Sequence, residues 1–407
     1  MIVLRNIGVL ATCRAAGGQG DVHLIHDAAI AWQDDTILWV GPASELPHAH
    51  ETAERHDAGG RLVVPGLIDC HTHLAFGGWR ADEFERRLRG EGYQQIARSG
   101  GGIAATMRAT RAATEAELLA GAALVVGQMV QLGVTTIEAK TGYGLDRETE
   151  LRLLAVYRAL ARSGPARIVP TYLGAHVVPP EYADRRRAYI DLMLDMIAEI
   201  GRDRLARGCD VFVDDTAFTR DEARELLLAG RRAGLDARLH ADQLTDGGGA
   251  ALAAEVGARS ADHLEHVSAA GIAALAAAGV VAVSLPLASL YLGERPLPAR
   301  ALIDAGVPVA VATDFNPGSA PSWHLPFALT LACTLQRMTP AEALKGATVY
   351  GARALGLEAR IGSIEPGKAA DFAIIDAPDV NHWLYQLRPN ACLRTVYGGR
   401  TVWQAPR

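Results

Sequence analysis

The chain has 407 residues, of which 49% are hydrophobic and 21% are charged, a composition typical of a globular protein with a large core. The net charge of −6 argues against an extended basic surface, and so against nucleic acid or an anionic membrane as partners. The five cysteines form no Cys-x-x-Cys pair, which favours a reduced, cytoplasmic chain over a disulfide framework. The short apolar N-terminus contains Arg5 and predicts neither a signal peptide nor a membrane span.

Both ends of the chain show short strand patterns separated by glycine and proline turns, of which the Gly398-Gly399 hairpin turn is one. Two strand-rich ends around a different middle predict a small β-sandwich domain built from residues 1–64 and 356–407. The predicted strands are Ile2–Leu4, Ala29–Gln33, Ile37–Val40, Arg61–Val64, Asp371–Asp376, Leu393–Tyr397 and Arg400–Trp403.

Residues 65–355 alternate between short apolar runs and amphipathic helical segments, which predicts a parallel (β/α)8 TIM-like barrel. The alternative is a doubly wound open sheet, but the Gly-x-Gly-x-x-Gly turn expected after its first strand is absent. The predicted strands are Leu67–His73, Val134–Lys140, Ile168–Leu173, Asp210–Asp214, Ala237–Asp242, Ala261–Leu264, Val280–Leu285 and Val309–Asp314. The predicted helices are Glu115–Leu132, Arg147–Ser163, Arg187–Ala206, Arg220–Ala233, Ala269–Ala278, Trp323–Arg337 and Pro340–Leu355.

The first barrel strand ends in His71-Thr72-His73. Side chains two residues apart in a strand point to the same face, so the two imidazoles can bind one metal ion. The alternative is a pair of surface histidines in a loop. The apolar strand before the pair and the Gly77-Gly78 turn after it favour the metal site.

Other polar side chains also stand at predicted strand ends, where barrel enzymes build their active sites. Each has a structural alternative: a core histidine for His240, a helix cap for Asp314, and a structural or supporting role for His176 and His263. Lys140 is a minor candidate for a carboxylated lysine that bridges two metals. The set comprises Glu138, Lys140, His176, His240, Asp242, Gln243, Asp262, His263, His266 and Asp314.

Taken together, these motifs resemble the amidohydrolase superfamily and, within it, the imidazolonepropionases. They follow one another in order over nearly the whole chain, which makes the set far more specific than a lone His-x-His. They are residues 65–80, Ser99–Ile103, Lys140–Leu145, Gly174–His176, Pro179–Tyr182, His240–Asp242, Ser260–Leu264 and Ala312–Ser319.

The resemblance implies a barrel with a composite β-domain and one metal ion per subunit, either zinc or iron. The implied metal ligands are His71, His73, His240 and Asp314, a donor set that suits zinc and ferrous iron. The resemblance is compatible with a homodimer, although no stretch of sequence identifies an interface. The implied substrate contacts are Arg80, Tyr143, His176, Asn316, Gly318 and Ser319.

One position departs from the family pattern. Some relatives carry glutamate after the His240-Ala241-Asp242 motif, where this chain has Gln243. A glutamine can hydrogen-bond to a substrate but cannot carry a proton. Gln243 is therefore predicted to bind substrate, with the acid–base work left to other residues.

The implied reaction is hydrolysis of the ring amide of 4-imidazolone-5-propanoate, a small anionic substrate, to N-formimino-L-glutamate. Asp314 is predicted to accept a proton from water and return it to the leaving nitrogen, and His263 to stabilise the oxyanion. A cyclic-amidine deaminase of the cytosine or guanine type is the alternative enzyme. Arg80 favours an acidic substrate over a neutral base. A non-catalytic scaffold barrel is disfavoured because all four ligands are present.

Overall fold

The computed structural model describes residues 1–50, 53–91, 95–96, 99–214 and 217–406. Strands from both chain ends form one seven-stranded sheet in the order β15-β14-β13-β4-β1-β2-β3. All neighbouring pairs are antiparallel except β1 with β4. The strands are β1 (Ile2–Ala11), β2 (Leu24–Gln33), β3 (Thr36–Pro42), β4 (Glu54–Pro65), β13 (Phe372–Ile375), β14 (Cys392–Tyr397) and β15 (Arg400–Gln404).

This sheet bends over its own hydrophobic core, which gives it the sandwich character predicted for the chain ends. Trp32 on β2 stacks edge-on against Phe372 on β13, with 5.3 Å between the ring centroids, although two strands separate β2 from β13 in the sheet. The indole nitrogen of Trp32 also donates to the carbonyl of Gly399 at 3.0 Å. The chain passes into the second sheet between Pro65 and Leu67, and the division into two domains at this point stays a prediction.

The second sheet contains eight consecutive parallel strands in sequence order, as predicted for the barrel. Its ends are joined by a bridge between Thr72 and Phe315, where the amide of His73 donates to the carbonyl of Phe315 at 2.8 Å. The strands are β5 (Leu67–Asp69), β6 (Val134–Lys140), β7 (Arg167–Ala175), β8 (Gly208–Phe212), β9 (Asp236–Ala241), β10 (Ser260–His263), β11 (Val281–Ser284) and β12 (Val309–Val311).

Helices follow most barrel strands, and their first residues are stabilised by side-chain caps. Thr114, Thr219 and Thr339 each form a capping box with the glutamate three residues later. The helices are Ala81–Leu88, Ile103–Ala112, Glu115–Gln131, Arg147–Ser163, Arg186–Arg202, Arg220–Arg232, Gly249–Glu255, Ala269–Ala278, Pro286–Leu292, Ala299–Asp304, Leu325–Gln336, Pro340–Lys345, Gly351–Ala354 and Val380–Tyr385, with a π-helical turn at Gly346–Tyr350.

Strands β5 and β12 are shorter than predicted. The predicted strands extend to His73 and Asp314, whereas the regular strand pairing in the structure ends at Asp69 and Val311. Asp314 has φ +55°, a left-handed conformation that cannot continue a strand. The residues after both strands therefore leave the sheet pattern at the point where polar side chains collect.

No single helix in the described part of the chain is both long and apolar enough to cross a membrane. The helices Ile103–Ala112 and Glu115–Gln131 pass that test only as a pair, by length and composition, and they are bent by 119° at their junction.

The N-terminal segment contacts the barrel through the side chain of Gln19. Its amide nitrogen donates to the carbonyl of Val309 at 2.7 Å, and its oxygen accepts from the amide of Val309 at 3.0 Å. Gln19→Ala would leave both buried backbone groups of Val309 unpaired, so we expect the free energy of unfolding to fall by about 2–4 kcal/mol. Chemical denaturation measures this, with exposed Gln33→Ala as the control. Equal stability of the two variants would contradict it.

Candidate metal centre and active site

Five side chains predicted for the site converge at the carboxyl ends of the barrel strands. His71 and His73 follow β5, His240 and His263 lie at the ends of β9 and β10, and Asp314 follows β12. Ligand atoms of His71, His73 and His240 lie within 4.8 Å of one another, as do those of His71, His263 and Asp314. The Oδ1 atom of Asp314 lies 3.4 Å from Nε2 of His71 and 3.6 Å from Nε2 of His73.

Two buried carboxylates orient two of these histidines. Nδ1 of His71 donates to Oδ2 of Asp262 at 2.6 Å, whereas Nδ1 of His240 lies 3.0 Å from Oδ2 of Asp210, a close contact without the alignment of a hydrogen bond. The Nε2 atoms of both rings are buried and have no hydrogen-bond partner. A buried polar atom without a partner needs a ligand, and an imidazole held by a carboxylate at its other nitrogen is the usual metal-binding arrangement. The residues present therefore fit a metal ion.

Burial favours the neutral form of His71, His73 and His176. It lowers the pKa of His71 well below its usual range, and the charge of Lys140 adds to the shift. Burial and the neighbouring His176 ring lower the pKa of His73 in the same direction. The pKa of His176 is lowered to about 3, mainly by burial. Neutral imidazole is the form that binds a metal ion.

Lys140 lies beneath these histidines and is fully buried. Its ammonium group donates to Glu138 at 2.9 Å and to Asp210 at 2.7 Å. Burial lowers the pKa of Lys140, but the three carboxylates around it outweigh burial and raise the pKa above its usual value. A charged ammonium in this position disfavours the carboxylated lysine, because a carbamate would face three carboxylates.

Several site residues have left-handed backbone conformations. The φ angles of Asp242, His263 and Asp314 are +50°, +79° and +55°. Such angles are costly for residues other than glycine and are often found at functional sites. For Asp242, hydrogen bonds from the amides of Gly249 and Ala250 to its carboxylate hold the turn after β9.

A cavity of about 520 Å³ opens above the histidines. Every residue predicted as a metal ligand, catalytic group or substrate contact lines it except His71, which is fully buried beneath the others. Its lining comprises His73, Arg80, Glu83, Arg87, Glu91, Ile96, Ile103, Tyr143, His176, Val177, Phe212, His240, Gln243, Leu244, His263, Leu292, Glu294, Asp314, Asn316, Gly318 and Ser319.

Arg80 brings a positive charge to this cavity from outside the barrel strands. Its Nε and Nη1 atoms are buried without a hydrogen-bond partner, and its nearest carboxylate, Glu83, is 3.8 Å away. A β-carbon at Gly318 would occupy the position of the Arg80 guanidinium group. Gly318 therefore leaves the space in which Arg80 lies.

Asn316 holds the loop after β12 rather than pointing only into the cavity. Its amide nitrogen donates to the carbonyl of Asp314 at 2.7 Å and to Oγ of Ser319 at 2.8 Å. Its oxygen accepts from the amides of Gly318 and Ser319, both at 2.8 Å. Oγ of Ser319 also donates to the Asp314 carboxylate at 3.4 Å. These bonds position Asp314 beside the histidines.

Aromatic rings form one wall of the cavity. The rings of His73 and His176 are stacked with centroids 5.1 Å apart, and Tyr143 lies 5.4 Å from each of them. Nδ1 of His176 lies 3.0 Å from the carbonyl oxygen of Gly142. Because that oxygen can only accept, Nδ1 carries the proton, and Nε2 of the neutral ring is an acceptor.

The pKa of His263 is raised, whereas those of His71 and His73 are lowered. Burial lowers its pKa, but Glu265, whose Oε1 lies 3.5 Å from Nδ1, raises it, and the net shift is upward. The ring of His263 lies 5.4 Å from that of His240. A histidine with a carboxylate behind it can present a polarised N–H to developing negative charge.

Several residues with a part in this site were not predicted from the sequence. Asp210 stood at the start of a predicted strand, with no spacing that linked it to a histidine. Glu265 lies two residues after His263, and this proximity was the only indication in the sequence that it belongs to the site. Glu83 and Arg87 lie on the helix Ala81–Leu88, which was not predicted at all.

Comparison with known proteins identifies the family. The model of the Amidohydrolase family matches residues 62–402. Imidazolonepropionase from Anaeromyxobacter dehalogenans (strain 2CP-C) is 48% identical over 411 aligned positions, covering 100% of this chain and 96% of that protein. Imidazolonepropionase from Cupriavidus necator is 46% identical over 381 positions, covering 92% of this chain and 91% of that protein.

Solved structures with the same fold are more distant in sequence. Guanine deaminase of E. coli has a TM-score of 0.74 at 17% identity, covering 100% of both chains. An adenosine deaminase from Xanthomonas campestris, described with bound zinc, has a TM-score of 0.71 at 19% identity and covers 98% of this chain and 92% of its own. At these identities the likeness shows the fold alone, whereas the full-length similarity shows that the chain belongs to the imidazolonepropionases of the amidohydrolase family.

Proposed function

We propose that this protein hydrolyses the ring amide of 4-imidazolone-5-propanoate and releases N-formimino-L-glutamate. The observation that carries the proposal is the 48% identity to an imidazolonepropionase over the whole chain. The cavity is consistent with it, because Arg80 places a guanidinium whose Nε and Nη1 atoms have no hydrogen-bond partner in reach of a small acid bound above the histidines.

The proposal includes one metal ion, zinc or iron, held by His71, His73, His240 and Asp314. Three neutral imidazoles and one carboxylate are a donor set that suits both metals. When bound, such a metal would lower the pKa of a coordinated water toward about 7 and so supply a nucleophile at neutral pH. The carboxylates of Asp262 and Asp210 hold the His71 and His240 rings for this task.

Proton transfer is assigned to Asp314, and oxyanion stabilisation to His263. Asp314 lies among the histidines and takes the proton from the attacking water. The same carboxylate then returns that proton to the ring nitrogen as the C–N bond breaks. His263, backed by Glu265, donates a hydrogen bond to the carbonyl oxygen as negative charge develops there.

Arg80 binds the propanoate carboxylate, because its planar fork pairs bidentately with carboxylates. Tyr143 and the acceptor nitrogen of His176 orient the imidazolone ring from the aromatic wall. Gln243 binds substrate through its amide. The loop of Asn316, Gly318 and Ser319 also lines the cavity and contacts the substrate there.

Replacing Arg80 tests the carboxylate site. We expect Arg80→Met to raise KM by about 30-fold or more, because losing one partner of a buried charge pair costs roughly 2–5 kcal/mol. The control is Arg89→Met. Arg89 is an exposed arginine directly after the helix Ala81–Leu88, which Arg80 directly precedes. Steady-state kinetics on both variants give the answer, and an unchanged KM in Arg80→Met would exclude this arginine as the carboxylate partner.

The function itself is tested by following the loss of imidazolone absorbance when purified protein is added. Turnover of 4-imidazolone-5-propanoate, with none of cytosine or guanine, is the expected result. Turnover of a nucleobase alone would replace the proposal with the deaminase alternative.

We also propose that the protein is a cytoplasmic homodimer. Light scattering on the purified protein measures its mass in solution and so tests the dimer.

A further inference from the structure

A cluster of five fully buried charged residues lies directly beneath the histidines. It contains three carboxylates and two cations, and none of its members lines the cavity. Burying that many charges is costly unless they are paired closely. The members are Glu138, Lys140, Asp210, Arg238 and Asp262.

Lys140 is the centre of this cluster. Its ammonium nitrogen lies 2.7 Å from Asp210, 2.9 Å from Glu138 and 3.4 Å from Asp262. Glu138 is held independently, by Thr171 at 2.6 Å and by Arg238 at 3.4 Å. Asp210 and Asp262 lack such support from the cluster, and the charged partner they share is Lys140.

The same two carboxylates orient two histidines. The Oδ2 atom of Asp262 that faces Lys140 is the atom that accepts from Nδ1 of His71 at 2.6 Å. The Oδ2 atom of Asp210 that binds Lys140 lies 3.0 Å from Nδ1 of His240. One ammonium group is therefore connected to two rings through two shared oxygen atoms.

We propose that Lys140 is a positioning residue of the metal centre, acting through Asp210 and Asp262 to turn Nε2 of His240 and His71 toward the metal. The ammonium lies within 3.4 Å of both carboxylates and fixes the oxygen that each presents. Each carboxylate then holds the proton of its histidine on Nδ1, which leaves the lone pair on Nε2. The inference rests on the proposed metal site but not on the substrate.

The test is the zinc affinity of Lys140→Met, measured by competition with a chromophoric chelator in the absence of substrate. We expect the affinity to fall by about 10–100-fold, the usual effect of changing residues that support metal ligands. The visible spectrum of the cobalt-substituted protein provides a second readout, and it should change because the ligand rings shift.

Lys345→Met is the matched control. Lys345 is also fully buried, but it donates to the carbonyls of Ala16, Gly18 and Asp21 and contacts no carboxylate of the cluster. This variant should lose thermal stability while its zinc affinity and cobalt spectrum stay as in the wild type. Zinc affinity in folded Lys140→Met within about twofold of the wild type would overturn the proposal, since 10-fold is the smallest expected effect.

The double variant Lys140→Met/Glu138→Gln covers the case in which the single variant does not fold. It removes one charge of each sign, so the net charge of the cluster is unchanged. Reduced zinc affinity in this protein supports the proposal, and wild-type affinity overturns it. Failure of both variants to fold would assign Lys140 to the barrel core and also overturn it. Wild-type protein that binds zinc but leaves the imidazolone intact refutes the proposed reaction alone.

Discussion

Removal of the metal is expected to abolish hydrolysis of the imidazolone. The Nε2 atoms of His71 and His240 are buried and unpartnered, so no protein group replaces the ion. Without it, nothing lowers the pKa of water in the site toward about 7, and we expect the rate to fall by more than about 10³-fold. Dialysis against a chelator, followed by elemental analysis and a turnover assay, measures the effect.

The same dialysis experiment also tests whether the metal stabilises the folded protein. A ligand that binds only the folded protein at about 1,000 times its Kd contributes roughly 4 kcal/mol, so the metal-free protein should have a lower Tm. Adding zinc or ferrous iron should restore both activity and Tm, whereas magnesium should restore neither, because it prefers oxygen ligands. Full activity in protein shown to be metal-free would exclude the proposed site.

Asp314→Asn is expected to lower kcat by about 10²–10⁴-fold, the range that general acid–base groups contribute. The amide cannot accept the proton of water or return it to the ring nitrogen. Since Asp314 is also a proposed ligand, the comparison requires variant protein reloaded with metal and checked by elemental analysis. Asp304→Asn, the same change at an exposed helix end, is the control.

Two results would separate the roles of Asp314. A metal-loaded variant with near wild-type kcat would remove this residue from the proton path. A variant that cannot be loaded with metal would show that Asp314 acts as a ligand, and zinc titration would then show the loss of metal binding directly. The loop bonds from Asn316 and Ser319 to this residue do not depend on its charge alone, so the local fold should persist.

The sequence alone predicted the barrel and most of its element bounds. Val134–Lys140 and Arg147–Ser163 have the bounds that their patterns indicated. A strand buried on both faces is a continuous apolar run, and an amphipathic helix repeats every 3.6 residues, so both patterns are local. The helix Ala81–Leu88 was missed because it has only eight residues, with Phe84 and Leu88 as its large apolar residues, which is too short a run for a helical period to stand out.

The sequence also determined which side chains meet above the barrel, because parallel strands in a barrel bring their carboxyl ends to one face. It could not show what lies beneath them. Lys140 meets Asp210 across 70 residues, and His71 meets Asp262 across 191. Such pairings depend on strand register and on which side chains point into the barrel at a given level. The spacing of residues along the chain indicates neither of these. Closure of the barrel alone decided that one lysine supports two histidines.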